Sequence, residues 1–328
     1  MQAYPVSISN MPGTPPFTLF GGAALGDGLF ATIKDVQQCL ALLSTLKIGH
    51  VDTAAIYPLS SQGKSEQLLG ESQAGENGFT IDTKIKVTDF SGKGSLTTSA
   101  INKSVATSLS RIKTKINVLY CHMPDASTPI SETLAALHEL HKQDKFQKLG
   151  ISNFSVAQVK ELLEVCEREG YVKPSYYQGQ YNALCREAEM QLLPLLRQQK
   201  ISYIAHSPLA GGFLSGIFTL GGPNVVGTRF EDGNPKGNFF KKTYDNEPTH
   251  TEMKKLIALL QPHGITASEA ALRWVYYHSA LQEGDGVILG ASKPEQISLN
   301  AADIAKGSLP SEVAKAVDAM SKTIRAQL

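Results

Sequence analysis

Four side chains of complementary acidity sit near the ends of short apolar runs. Asp52 and Tyr57 stand five apart in HVDTAAIYP (His50 to Pro58), Lys84 comes near the end of FTIDTKI, and His122 ends INVLYCH. The set is a carboxylate, a phenol, an amine and an imidazole, which suits general acid catalysis by the phenol. A free tyrosine ionises at about pH 10 and gives up its proton reluctantly. A lysine ammonium beside it favours phenolate and lowers that pKa. Asp52 would pair with Lys84 and hold it in place, while His122 would hydrogen-bond a substrate oxygen and fix its direction. A phenol so placed can protonate a carbonyl oxygen as hydride reaches the carbon, a contribution of about 10²–10⁴-fold. Taken singly, each residue reads as ordinary structure: a loop carboxylate, a packed ring, a satisfied half-buried histidine. The chemistry requires that all four converge.

Convergence is a matter of strands. Strand-like runs occur at FTLFG (Phe17 to Gly21), HVDTA, FTIDTKI (Phe79 to Ile85), INVLYCH (Ile116 to His122), FQKLGIS (Phe146 to Ser152), PSYYQGQYN, ISYIAHS (Ile201 to Ser207) and GVILG (Gly286 to Gly290). Helical spacing fills stretches between them, as in IKDVQQCLALLSTL, TTSAINKSVATSLSRI, ISETLAALHELHKQ and ASEAALRWVYYHSA. SVAQVKELLEVCER opens on Ser155 with Gln158 three later, a capping box. Eight β/α units with short connections argue for a parallel sheet covered by helices, and eight is the number that closes a barrel. The expected fold is α/β, a (β/α)8 TIM barrel with a long loop after strand seven and C-terminal helices, spanning residues 1–328 as one domain. The loop, Gly211 to Pro248, is rich in Gly, Asn, Pro and aromatics, and loops of that length are functional or disordered. In such a barrel Asp52, Tyr57, Lys84 and His122 share the mouth at the C-terminal strand ends.

The bulk properties fit a globular enzyme. The chain has 328 residues, 42% hydrophobic and 19% charged, with a formal net charge of +1. That balance gives no field favouring nucleic acid or a membrane surface, and no apolar run is long enough to span a bilayer. Cys39, Cys121, Cys166 and Cys185 have no CxxC spacing, so reduced cytosolic thiols are expected rather than disulfides or zinc. MQAYPVSISNMPGTPP does not read as a signal peptide, which makes a cytoplasmic location the expectation. One rival is a dinucleotide fingerprint: Gly26, Gly28 and Ala31 fit G-x-G-x-x-G/A, with Asp52 where a ribose-binding acid would sit. Gly26 comes late for the tight first turn, because Gly21 and Gly22 already close the strand, and the pattern is read as a loop coincidence. His138 and His141 in HELH lack a third ligand and read as a solvated helix face, and Trp274 reads as packing on an outer helix.

DTAAIY, TK, YCHMPD and GISNF, in this order and spacing, resemble the aldo-keto reductase superfamily. The likeness continues through YQGQYN, HSPLAGGFLSG and GVILGAS, nearly the whole chain. SPLAGGFLSG, the TRFEDGN loop and GVILGASKPEQISLN are most similar to the aflatoxin aldehyde reductase branch and its fungal relatives. The resemblance implies NADPH-dependent reduction of a small-molecule carbonyl substrate, a catalytic tetrad of Asp52, Tyr57, Lys84 and His122, and a monomer or homodimer. It places the nicotinamide carboxamide on Ser152 and Asn153, with Gln178 as a further partner. Gly21, Gly22, Ala23 and Gly290 would allow close approach of the cofactor, and Ser207, Leu209, Gly211, Leu214, Ser215 and Gly216 match the loop over its pyrophosphate. Ser292, Lys293, Gln296 and Asn300 match the adenosine 2′-phosphate region, where Ser292 with Glu295 also reads as a helix cap. Three positions depart from the pattern. His206 replaces the usual stacking aromatic, Ile217 and Phe218 follow where a Lys is common, and Gln296 stands for an Arg. Arg229 could hold a substrate carboxylate or a cofactor phosphate, and Ile56, Phe90, Pro124 and the segment Gly227 to Pro248, with Phe230, Asn238, Phe239, Phe240 and Tyr244, could line the pocket. The alternative is a nicotinamide-binding barrel acting as a sensor or accessory subunit, like the potassium-channel β-subunits of the same superfamily; the intact tetrad argues against it.

Overall fold

The computed structural model describes residues 14–234 and 237–325; most of the N-terminal stretch read above for a signal peptide, residues 1–13, lies outside the described residues. Eight parallel strands close in chain order: β1 (Phe17–Gly21), β2 (His50–Asp52), β3 (Thr80–Lys84), β4 (Ile116–Cys121), β5 (Phe146–Ser152), β6 (Pro174–Gln180), β7 (Ser202–His206) and β8 (Gly286–Gly290), with β8 beside β1. A helix follows each of the first seven strands or its loop: α1 (Ile33–Thr45), α2 (Lys64–Glu71), α3 (Thr98–Ile112), α4 (Ile130–Lys142), α5 (Val156–Glu169) and α6 (Leu192–Gln198), then α7 (Ile217–Leu220), α8 (Asn238–Tyr244), α9 (Glu247–Leu260) and α10 (Ala267–Tyr277) after β7. α11 (Pro294–Ala305) and α12 (Ser311–Arg325) follow β8. This is the expected (β/α)8 barrel with C-terminal helices.

Local chemistry sets the helices. Ser155 Oγ accepts from Gln158 N–H at 3.3 Å and Gln158 Oε1 accepts from Ser155 N–H at 2.8 Å, the reciprocal cap read from the sequence. Thr32 and Asp35 form a second such box at the start of α1. α5 then buries Val159, Leu162, Leu163 and Cys166, a stripe at three-to-four spacing that faces the strands. Trp274 is fully buried on α10 with the Arg186 guanidinium 4.8 Å from its ring, as packing requires. All four cysteines are free.

Two expectations need correction. Gly211 to Pro248 is no plain loop: it contains α7 and α8, and α9 begins inside it. Its helical pieces are too short to show a period. Aromatic contacts hold them instead, with Phe218 stacked on Phe230 at 4.6 Å and Phe213 on Tyr244 at 5.2 Å. His138 and His141 are half-buried rather than solvated. Docking of α4 lets His138 Nδ1 accept from Val172 N–H and brings His141 Nε2 to the Gln147 carbonyl. Gly26 and Gly28 lie in the β1–α1 loop with positive φ, and the closed barrel leaves no open doubly wound sheet for a dinucleotide fingerprint.

Candidate active site

The ends of β2 and β3 bring a carboxylate to an ammonium. Lys84 Nζ donates to both Asp52 oxygens, at 2.7 and 2.6 Å, and to the Thr53 carbonyl at 2.8 Å. Both side chains are buried, and three acceptors match the three protons of the ammonium. Tyr57 follows on the turn after β2. Its carbonyl accepts from Gly63 and Ser65 N–H, each at 3.1 Å, so the turn is tied to the start of α2. The Lys84 ammonium lies 5.3 Å from the centre of the Tyr57 ring. His122, one residue beyond β4, meets Tyr57 edge-on, with ring centres 5.8 Å apart. Asn153, at a left-handed φ of 66°, donates to the His122 carbonyl at 2.9 Å and so ties the β5 exit to the β4 exit. All four predicted residues therefore converge at the C-terminal mouth.

Burial shapes the site's ionisation. It pushes the Asp52 carboxyl above its usual range, against the pull of Lys84 and of Gln178. It also pushes the Tyr57 phenol up, with Lys84 pulling down and Asp52 pushing up. The expected influence of Lys84 has the right sign, but burial outweighs it, and Tyr57 is a firmly protonated phenol. The two imidazoles go the other way. Burial, with Lys84 and His206 nearby, lowers His122 to about 3, and burial with Lys84 lowers His206 to about 4. Both are neutral near pH 7. His122 Nδ1 is buried and has no hydrogen-bond partner among the described residues.

The Aldo/keto reductase family model matches residues 19–322 of this chain. The chain belongs to the aldo/keto reductase family. An aldo-keto reductase of Pseudocercospora fijiensis is 37% identical over 84% of this chain and 95% of its own length. Aflatoxin B1 aldehyde reductase member 2 is 36% identical in Mus musculus and 38% in Homo sapiens, each over 96% of this chain and 89% of the relative. The family consists of oxidoreductases acting on small-molecule carbonyl compounds.

Several of the other residues predicted for this aldo/keto reductase stand at the ends of strands of the same barrel. Gly21 and Gly290 face each other across β1 and β8. A Cβ at Gly21 would strike Ile288, one at Gly22 would press on the Asp52 carbonyl at 3.1 Å, and one at Gly290 would meet open space. Ala23 continues the turn after β1. Ser152 ends β5, and Gln178 Nε2 donates to Asp52 Oδ1 at 2.8 Å, so that amide proton is already committed to the carboxylate. His206 ends β7 with Nδ1 3.1 Å from Ser207 Oγ. Beyond it the chain turns through left-handed conformations at Ser207, Ala210, Gly211, Gly212 and Gly216, with Leu209 and Ser215 half-buried and Leu214 buried in the core. Asn182 donates to the Ser207 carbonyl at 3.0 Å and braces this run.

Three site expectations change. α11 starts at Pro294, so Ser292 lies too early to cap it with Glu295. Instead Gln296 Oε1 accepts from Ser292 N–H at 2.8 Å, Ser292 Oγ at 3.1 Å and Lys293 N–H at 3.3 Å. Asn300 is buried one turn further on. Phe90 is 62% exposed and lines no closed wall. The wall beside Tyr57 is instead Ala54, Ile56 and Val87, with Met123 packed against them, and Pro124 is half-buried. In the segment after β7, Phe230 and Tyr244 are buried in the core, Asn238 is exposed, and the Phe239 side chain lies outside the described residues. Arg229 is exposed with its guanidinium 5.1 Å from the Phe240 ring, and has no carboxylate partner among the described residues.

Sequence reading missed the Gln178–Asp52 bond and the Thr53 carbonyl beneath Lys84. Neither leaves a pattern, because an interior strand glutamine and any backbone carbonyl look alike along a chain. Among the described residues, no His/Cys/Asp/Glu group is arranged to hold a metal, and no helix is long and apolar enough to cross a membrane.

Proposed function

We propose that this chain, as one barrel domain, reduces aldehydes or ketones to alcohols with NADPH, and that Tyr57 is the general acid. The observation that carries the reading is the buried Lys84–Asp52 pair set against the protonated Tyr57 phenol, with neutral His122 edge-on beside it. His122, uncharged and with a ring nitrogen lacking a partner among the described residues, orients the carbonyl oxygen. Tyr57 donates its proton to that oxygen. The Lys84 ammonium steadies the phenolate left behind, and Asp52, Thr53 and Gln178 keep the ammonium from moving.

The residues at the mouth fit a nicotinamide dinucleotide. The β8 end carries no side chain where Gly290 stands and open space lies beside it, which leaves room for a flat ligand to approach the backbone there, while Gly21 and Gly22 let the β1 end pack closely on Ile288 and the Asp52 carbonyl. Ala23, Ser152, Asn153 and Gln178 would hold the nicotinamide end and the neutral His206 ring would stack on it. Ser207, Leu209, Gly211, Leu214, Ser215 and Gly216 would follow the pyrophosphate, and Ser292, Lys293, Gln296 and Asn300 would take the 2′-phosphate. NADPH supplies the hydride when bound. The partly exposed Met123 and Pro124 near Tyr57 suit apolar or aromatic carbonyls, with the exposed Arg229 available for a carboxylate. The reading includes a cytoplasmic location and a monomer or homodimer. The test is a panel of carbonyls, 4-nitrobenzaldehyde among them, assayed with NADPH and NADH side by side and accompanied by fluorescence titration of bound cofactor. Turnover with a preference for NADPH supports the reading. Tight binding with no turnover on any carbonyl overturns it in favour of a sensor or accessory subunit.

A further inference from the structure

Tyr120 is a fully buried phenol that no part of the proposed reaction uses. It sits on β4, opposite Lys84 of β3 in register and opposite Gly150 of β5. Its hydroxyl is buried and makes no well-formed hydrogen bond among the described residues. The Gln178 amide lies near it, but Gln178 Nε2 is aimed at Asp52 at 2.8 Å. What the position turns towards Lys84 is the face of the ring. The ring has a specific neighbour: the Lys84 ammonium lies 5.7 Å from its centre and 5.3 Å from the centre of Tyr57. Both separations are within cation–π reach of about 6 Å. Gly150 makes room for the ring, because a Cβ there would run into Tyr120 Cδ1 and Cε1. The ammonium is thus held by three oxygens and two aromatic rings.

Resting on the proposed acid role of Tyr57, we infer that Tyr120 is a positioning residue whose ring face fixes the Lys84 ammonium beside Tyr57. The groups around this pair are Asp52 from β2, Asp82 from β3, Tyr176 from β6, His206 from β7, and His122 and Tyr57 themselves. Asp52 and Asp82 are the anions among them, and Asp82 lies two residues earlier on β3 than Lys84, deeper in the barrel. The ring face is a further contact for the ammonium beside the Asp52 oxygens and the Thr53 carbonyl. Without it the ammonium settles away from Tyr57, its lowering effect on the phenol weakens, and the phenol ionises at higher pH. Pure packing by Tyr120 would affect stability but leave the Tyr57 titration where it is.

The experiment is a series at position 120: Tyr120→Phe, Tyr120→Met, and replacement by trifluorophenylalanine, which keeps the shape of Phe while draining its ring face. In each, Tyr57 is titrated by tyrosinate difference absorbance, taking the matching Tyr57→Phe variant as blank, and the pH profile of alcohol oxidation is recorded. Tyr120→Phe is expected to titrate as the parent does. Tyr120→Met and the fluorinated ring are expected to raise the midpoint by roughly half to one pH unit, the size of a partly desolvated cation–π contact. Equal midpoints for Phe and the fluorinated ring overturn the inference. That comparison stands even if Tyr120→Met does not fold. The absorbance titration needs no turnover, so a failed carbonyl panel would overturn the proposed function while leaving the seating of Lys84 separately measurable.

Discussion

The Asp52–Lys84 pair makes opposite demands on stability and on activity, and a double-mutant cycle separates them. Both side chains are almost wholly buried, with contacts of 2.6 and 2.7 Å. Asp52→Asn alone leaves a buried ammonium facing a neutral amide, and Lys84→Met alone leaves a buried carboxylate with Gln178 as its one side-chain partner among the described residues. Breaking a buried pair from one side costs about 3–5 kcal/mol. The double variant buries no charge. The amide oxygen introduced at position 52 still accepts from Gln178, and methionine fills most of the lysine stem. What remain unsatisfied are the Thr53 carbonyl, which loses its 2.8 Å donor, and the amide N–H donors introduced at position 52, each a penalty of about 1–3 kcal/mol. The double variant is therefore expected to be more stable than either single, with a coupling of about 3 kcal/mol or more in urea unfolding at constant m-value. Carbonyl reduction is expected to stay as low in the double as in the singles, because the charge beside Tyr57 is gone. Unfolding energies that add to within about 0.5 kcal/mol would refute the claim that the pair is one coupled unit.

Other outcomes follow from the same geometry. His122 and His206 ionise at about 3 and about 4 in the folded chain against about 6.5 unfolded. The unfolded chain therefore takes up protons first, and the stability these rings contribute is full above about pH 6.5 and is lost as pH falls towards their folded values. At pH 5 each ring has cost about 2 kcal/mol, so His206→Phe should lose that much less stability than the parent between pH 7 and pH 5 in urea unfolding. Gly211 has φ 67° and a Cβ there would press into the Phe240 ring. Gly211→Ala should lower stability by about 1–2 kcal/mol and weaken NADPH binding in a fluorescence titration. Asn153→Ala removes the 2.9 Å bond to the His122 carbonyl, and should raise KM for a carbonyl substrate more than it changes the unfolding midpoint.

The barrel is legible in the sequence because its elements carry local signals. The eight apolar runs align with eight strands, and Ser155 and Gln158 mark the start of α5. The convergence of Asp52, Tyr57, Lys84 and His122 is legible for a related reason: polar groups at the ends of apolar strands are costly unless they are paired, and three successive strands carry them. What stays hidden depends on pairs distant in sequence. Gln178 meets Asp52 across 126 residues, and Tyr120 reads as one more core aromatic just before His122. The segment after β7 conceals α7 and α8 because its glycines and asparagines resemble loop punctuation, while its order comes from rings such as Phe218 and Phe230 meeting each other. The net sign of the Tyr57 shift is also out of reach, since it depends on how deeply the phenol is buried and not on which residues surround it.

The most direct measurement of the central claim is steady-state reduction of 4-nitrobenzaldehyde by Tyr57→Phe, with NADPH affinity measured on the same sample. The account predicts a rate lower by about 10²–10⁴-fold with cofactor affinity unchanged, since the substitution removes one hydroxyl and keeps the ring beside Lys84 and His122. A variant that reduces the aldehyde as fast as the parent would contradict it.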